Sequence, residues 1–214
     1  MKRKKQVIVL GKGKLAIKVA KWFHNHKEYK LLLIVPVIPE PNWTTSISEW
    51  AAKNKIPIVK SGHYKDIPFD IKIDLAISVT YDKIIKKSFI DRCNRILNIH
   101  NSPLPKYRGV SPINWALKNN EKDHGVTIHE ITPGIDDGPI WGQVKFPIYP
   151  KVDEVKDVYR RCLDFGWTLF KTVMPLINQI TPTQQKNSKA TYYDLSKNDL
   201  LGERRFFTKK QSLK

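Results

Sequence analysis

The chain has 214 residues, 41% hydrophobic and 27% charged, which suits one folded domain with at most a small appendage. No apolar run reaches the ~18 residues of a membrane helix, and the basic start M-K-R-K-K meets charge again too soon to be a secretory leader. The formal charge of +18 fits either an anionic partner (nucleic acid, a phosphorylated metabolite, a polyglutamylated cofactor or a membrane surface) or a Lys-, Asn- and Ile-rich compositional bias, since the lysines are spread along the chain. QVIVLG (6–11) reads as a short apolar strand that runs into Gly11 and Gly13. KLAIKVAKWFHNH (14–26) reads as a helix with Leu15, Ala16, Val19, Ala20 and Phe23 at helical spacing. YKLLLIVPVI (29–38) is nearly continuous apolar strand, the pattern of a buried parallel sheet. A Pro- and Trp-containing loop leads to a short helix in ISEWAAKNK, then to strands IPIVK (56–60) and DLAISVT (74–80). DKIIKKSFIDRCN is loop and helix, and RILNIH (95–100) is strand again. This alternation predicts a doubly wound, mostly parallel, Rossmann-like α/β sheet.

Beyond Gly109 the pattern changes. SPINWALKNN predicts a helix with Ser111 as N-cap and Pro112 at its first position. GVTIHEI (125–131) and PIWGQVKFPI (139–148) predict a β-hairpin joined by T-P-G-I-D-D-G. Residues 153–180 predict a long amphipathic helix capped by Asp153. The tail and its basic end read as irregular, with a short hairpin around Ala190 to Leu195. The expected organisation is one domain over 1–180 and a short C-terminal extension over 181–214.

The stretch N-I-H-N-S-P-L-P-K-Y-R-G (98–109) carries the first chemical signal. Strand alternation puts Asn98 and His100 on one face. Pro103 and Pro105 then stiffen the loop that follows, by fixing φ and removing two backbone donors. A polar pair at the carboxyl end of a strand is where an α/β fold keeps its chemistry. The Gly-bracketed carboxylates Asp136 and Asp137 could shape the hairpin turn, bind a metal or present one acid. Convergent metal ligands at recognisable spacing are missing, as is a G-x-S-x-G elbow. Cys93 and Cys162 lack both zinc spacing and a reactive motif, and fit buried positions in a reducing cytoplasm. Asn, His and Asp remain, a set suited to acyl transfer without a protein nucleophile.

N-I-H-N-S-P-L-P-K-Y-R-G, S-P-I-N-W-A-L-K-N-N-E, H-G-V-T-I-H-E-I and I-D-D-G-P-I, in that order, resemble the N10-formyltetrahydrofolate-dependent formyltransferases. The resemblance covers roughly 5–150 and is strongest over 78–148. It implies the formyltransferase fold and Asn98, His100 and Asp136 as the catalytic set. Asp136 is preferred because the family acid lies two residues before the Gly that precedes Pro139, which leaves Asp137 as a turn residue. It also implies N10-formyltetrahydrofolate as co-substrate, read largely by backbone at Lys83, Ile84 and Ile85 and by Ile135. No metal is implied.

Departures from the family pattern narrow the acceptor. Gly11-Lys12-Gly13-Lys14 replaces the Gly-Ser-Asn phosphate loop of glycinamide ribonucleotide formyltransferases. The tail leaves no room for the C-terminal barrel of methionyl-tRNA formyltransferases. L-P-K-Y-R-G-V-S-P-I-N-W-A-L looks most like sugar-nucleotide N-formyltransferases, and dTDP-4-amino-4,6-dideoxyglucose is the expected acceptor, for O-antigen or a related surface glycan. Lys12 and Gly13 at a helix N-terminus, and Tyr107 and Arg108 beside the catalytic loop, are candidates for the diphosphate; Tyr192 and Tyr193 are candidates for the base. Trp115 is expected in the core, and Trp141 is expected to face a partner in a homodimer. No membrane or nucleic-acid partner is expected. The alternatives are a methionyl-tRNA formyltransferase-like enzyme without its barrel, and a basic nucleic-acid-binding protein with a relic site.

Overall fold

The computed structural model of the chain describes residues 3–204. It divides into two compact units, Met1–Ile99 with Ile131–Pro133, and His100–Glu130 with Gly134–Lys214. The first unit holds the parallel strands β1 (Lys5–Gly11), β2 (Tyr29–Pro36), β3 (Leu75–Val79) and β4 (Ile96–His100), in the order β2-β1-β3-β4; the last residue of β4 opens the second unit. Their continuous apolar runs are buried as expected. Ile8, Leu10, Leu33, Val35 and Ala76 pack with Tyr64, Ile85 and Phe89 in one core cluster.

Helix α1 (Gly13–Asn25) follows β1 at once. It buries Leu15, Ala16, Val19, Ala20 and Phe23, while Lys14, Lys18 and Lys21 face solvent, an apolar stripe of helical period. Helix α2 (Ile47–Lys53) starts where Ser46 Oγ accepts from the Glu49 N–H at 3.1 Å, an N-cap bond. Helix α3 (Lys87–Ile90) is a single turn. The segment 56–60 is not a strand. Ile58 makes only an isolated bridge to Ile34, and Pro57, which can accept from Ile34 but has no N–H to donate, prevents a longer ladder.

The second unit contains β5 (Arg108–Gly109), α4 (Pro112–Lys118), the antiparallel pair β6 (Asp123–Glu130) and β7 (Ile140–Pro147), α5 (Val155–Val173) and β8 (Tyr192–Tyr193). With β1–β4, strands β6 and β7 complete a mostly parallel six-stranded sheet, while β5 and β8 pair separately and in parallel. Four local expectations are corrected here. Ser111 sits in the left-handed region at φ 53° and makes no side-chain cap. The N-cap of α5 is Glu154, which exchanges capping-box bonds with Asp157; Asp153 instead accepts from the Tyr149 N–H at 2.7 Å and pairs with Arg161 at 2.6 Å. The helix ends at Val173, short of residue 180, because Pro175 cannot continue it and a 3-10 turn takes over at Met174–Leu176. Around Ala190 to Leu195 there is no hairpin: Tyr192 and Tyr193 pair with Arg108 and Gly109, distant in sequence. Trp141 is also corrected, since its ring is 6% exposed and buried within its own chain. Residues 205–214 of the predicted extension, including its basic end, lie outside the described residues.

Candidate active site

Strand β4 delivers His100 to the start of the second unit, where it is buried. The loop after it is pinned from within. Ser102 Oγ donates to the Lys106 carbonyl at 2.9 Å, and Thr127 Oγ1 donates to the Ser102 carbonyl at 2.7 Å while accepting from the Leu104 N–H at 3.2 Å. The loop thereby brings the Tyr107 carbonyl within 2.9 Å of His100 Nε2. A carbonyl only accepts, so this contact fixes the proton on Nε2. His100 Nδ1 faces Asp136 Oδ2 at 3.6 Å, an ion-pair distance rather than a hydrogen bond.

Asp136 stands at the hairpin turn with φ 50°, a left-handed conformation that Asp tolerates better than most side chains. Its Oδ2 accepts from the Gly109 N–H at 2.9 Å. Its Oδ1 lies 3.4 Å from Nε2 of His129, a residue only 1% exposed. His129 Nδ1 is in turn 2.9 Å from the Glu130 carbonyl, which fixes its other proton there. The carboxylate therefore lies between two imidazoles whose far nitrogens are both committed as donors to backbone. Burial opposes ionisation of Asp136, but the His100 charge, the His129 hydrogen bond and charge, and the Gly109 N–H outweigh it. They hold this carboxyl well below the usual carboxylate range. A carboxylate supported in this way stays ionised and is fixed in place to orient and charge the two imidazoles.

Asn98 lies two residues before His100 on β4, half-buried, and strand alternation directs both side chains to one face. The Asp137 carboxylate folds back over Gly134, where an added Cβ would meet its Oδ2 at 2.0 Å; this is the turn-shaping position expected for it. Ile135 is on the same turn. In the first unit, Lys83, Ile84 and Ile85 follow β3. Ile85 joins the core, whereas Ile84 is 61% exposed and its carbonyl accepts from Tyr64 Oη at 3.1 Å. Tyr81 donates to the Gly62 carbonyl at 2.8 Å, and burial pushes its hydroxyl up to about 12.

The substrate candidates separate into free and engaged groups. Tyr107 is buried and fully engaged: its hydroxyl donates to Glu121 at 2.7 Å, its N–H donates to Thr191 Oγ1 and its carbonyl holds His100, so it serves the site rather than the substrate. Arg108 donates through Nε and Nη2 to Gln185 Oε1 at 3.0 and 2.8 Å, and through Nη2 to Asn187 Oδ1 at 3.0 Å. Tyr193 stacks on Trp115, with centroids 4.1 Å apart, and on Tyr107, while the Tyr192 ring is 46% exposed. Trp115 itself is in the core, as expected. Lys12, before Gly13 at the start of α1, has its ammonium over the Trp43 ring; burial lowers its pKa, with Asp82 opposing. Burial raises both thiols, Cys93 to about 12 and Cys162 further, which leaves them inert.

Sequence reasoning missed His129, Thr127 and Gln185. Thr127 and His129 had a usable signal, as two polar residues at alternate positions of a predicted strand whose neighbours are apolar. Gln185, in an irregular tail, had none. Among the described residues no cluster of His, Cys, Asp and Glu is placed to hold a metal ion, and no helix is long and apolar enough to cross a membrane.

Residues 66–174 match the model of a family described as "Formyl transferase". A methionyl-tRNA formyltransferase of Pseudothermotoga lettingae is 37% identical over 150 residues, 68% of this chain and 48% of the relative. The chain thus spans about half the length of this and another curated methionyl-tRNA formyltransferase that it matches. An N-formyltransferase from Helicobacter canadensis, solved with folinic acid and dTDP-3-aminofucose, superposes with a TM-score of 0.78 at 28% identity, over 90% of this chain and 71% of that one. WlaRD, a sugar 3N-formyl transferase solved in the presence of dTDP and 5-N-formyl-THF, gives 0.77 at 30% identity, over 92% and 71%.

Proposed function

The chain belongs to the formyl transferase family, and from that premise we propose that it formylates the amine of a nucleotide-linked amino sugar with N10-formyltetrahydrofolate as donor. The observation that carries this reading is the pair of a buried His100 and a half-buried Asp136, set in a chain that resembles nucleotide-sugar formyltransferases over nine-tenths of its length. dTDP-4-amino-4,6-dideoxyglucose is the acceptor we favour. Its 3-amino counterparts are the first comparison, because the two neighbouring structures carry dTDP or a dTDP-3-amino sugar. Such a product would enter O-antigen or a related surface glycan.

The donor set fits an amide-like formyl donor. When bound, formyltetrahydrofolate supplies an activated formyl carbon, and the chain must stabilise charge on the formyl oxygen and remove the amine proton. Asn98 brings an amide N–H from the face of β4 that also bears His100. The expected second hydrogen-bond donor is modified by the structure, because His100 Nε2 already donates to Tyr107. His100 therefore contributes its positive charge and the proton at Nδ1. Asp136 orients the ring and, directly or through water, assists removal of the proton that the attacking amine gives up. Lys83, Ile84, Ile85 and Ile135 are proposed to line the folate site. Lys12, Gly13 and Tyr192 are proposed for the nucleotide, since the Tyr107 and Arg108 N–H groups are both taken by Thr191.

A second reading, formylation of methionyl-tRNA, is favoured by the 37% identity to the Pseudothermotoga enzyme and by the charge of +18. One assay separates the two. Release of tetrahydrofolate is followed with dTDP- and UDP-linked 3- and 4-amino sugars and with charged methionyl-tRNA. Turnover with a nucleotide sugar, abolished in His100→Ala, is expected; turnover with tRNA alone would replace the first reading by the second.

A further inference from the structure

The segment after α5 reaches both backbone elements that hold the His100–Asp136 pair, and we infer that Gln185 is a positioning residue that latches the Asp136 turn to the loop after β4. The inference rests on the formyl-transfer reading for its kinetic consequence. Gln185 Nε2 donates to the carbonyls of Asp136 and Gly138, both at 2.8 Å. Its Oε1 accepts from Arg108 Nε and Nη2 at 3.0 and 2.8 Å. A primary amide has two donor hydrogens and two acceptor lone pairs, and all four are used here. Arg108 lies between Tyr107, whose carbonyl holds His100 Nε2, and Gly109, whose N–H holds Asp136 Oδ2. One side chain thus ties the acid's own turn to the strand that orients both acid and base.

The neighbouring residues of the same segment reinforce the latch. Thr183 exchanges two backbone bonds with Ile140, each 2.8 Å, and so fixes the segment to the start of β7. Thr191 Oγ1 accepts from the Tyr107 N–H at 2.7 Å, and its carbonyl accepts from the Arg108 N–H at 2.9 Å. Gly109 has φ 91°, and a Cβ there would lie 2.0 Å from the Tyr193 carbonyl, so the approach of β8 admits only glycine. Asp136, at φ 50°, occupies a conformation tolerated rather than preferred, and its turn needs an anchor outside itself. Only an amide of this length fulfils both roles. A carboxylate would keep Arg108 but repel two carbonyls, and an apolar isostere would lose both sides.

The test uses the whole chain as Gln185→Glu and Gln185→Met, with tetrahydrofolate-release kinetics and amide hydrogen exchange read on the same samples. Misplacing a catalytic group by about 1 Å costs roughly 10²-fold, so kcat is expected to fall about 10- to 100-fold in both variants with little change in either KM. Exchange at the Gly109 amide should speed up while β1, β2, β6 and β7 keep their protection. Wild-type kcat together with wild-type exchange in both variants would overturn the latch. So would a fall in kcat accompanied by lost protection throughout β6 and β7, which marks a merely structural role. If the wild type releases no tetrahydrofolate with any acceptor but the Gly109 amide still loosens in the variants, the formyl-transfer reading fails and the latch stands.

Discussion

The turn after β1 and the loop after β4 both leave the carboxyl end of a parallel strand, and both place a basic or titratable side chain where water is scarce. They treat that charge in opposite ways. At the first, Gly13 adopts φ 77° with the Thr44 hydroxyl 2.7 Å from where a Cβ would stand, so the glycine is fixed by packing. Lys12 beside it lies over the Trp43 ring, and burial weakens its hold on its proton. At the second, His100 meets a carboxylate that is itself held by His129 and by the Gly109 N–H, and the carboxylate stays ionised. A partly buried charge without a matched counter-charge drifts toward neutrality, whereas one set among complementary groups persists and holds its neighbours in place. The Gly-rich turn looks more like a ligand loop in sequence; the loop after β4 has the better chemistry.

The sharpest way to break this comparison is Asp136→Asn. General-base and orienting roles together predict a fall in kcat of about 10³-fold with the fold retained, checked by tetrahydrofolate release alongside circular dichroism. Asn98→Ala comes next, with a loss of about 10²-fold as expected for one donor to a developing oxyanion; single-turnover rates should show it, and an unchanged rate would remove Asn98 from the set.

Away from both loops, Asp153→Asn should leave kcat alone and destabilise the fold by about 2 kcal/mol at pH 7. Its partner Arg161 is one-third exposed, which places the pair between surface and buried behaviour. The Arg161 hydrogen bond, opposed by burial and aided by the Tyr149 N–H, lowers the Asp153 pKa. Its stabilisation is accordingly full above the unfolded value of ~3.9 and fades as pH falls through the lower folded value. Urea melts of the two proteins should therefore converge in acid. The smallest effect is expected of Gly13→Ala, about 1–2 kcal/mol from left-handed backbone and the Thr44 contact. It should lower the melting temperature and raise KM for the nucleotide sugar with kcat little changed, and an unchanged KM would remove the first turn from the proposed nucleotide site.

Much of this protein is legible in its sequence because the relevant forces are local. The apolar runs 6–11, 29–38 and 74–80 became buried parallel strands, and the 3.6-residue stripe of 14–26 became an amphipathic helix. Thr-Pro-Gly-Ile-Asp-Asp-Gly turned between antiparallel strands, and the alternation of Asn98 and His100 followed from the pleat. Where a prediction failed, a nonlocal partner or a missing backbone donor decided. Pro57 removed a ladder bond from 56–60, Glu154 displaced Asp153 as helix cap because Arg161 had claimed it, and Tyr192–Tyr193 paired with Arg108–Gly109 rather than with each other's neighbours.

By itself the sequence determined the strand and helix periods, the turn carrying Asp136, and the placing of Asn98 and His100 on one strand face, since each depends on residue type and on spacing within a few positions. Only the tertiary structure decided that His129 shares the carboxylate with His100, that Tyr107 gives its carbonyl rather than its ring, and that Gln185 closes on the Asp136 turn from nearly fifty residues away. Those contacts join segments far apart in the chain, and no local propensity encodes them; they exist because buried hydrogen-bonding groups must find partners wherever the fold brings them together.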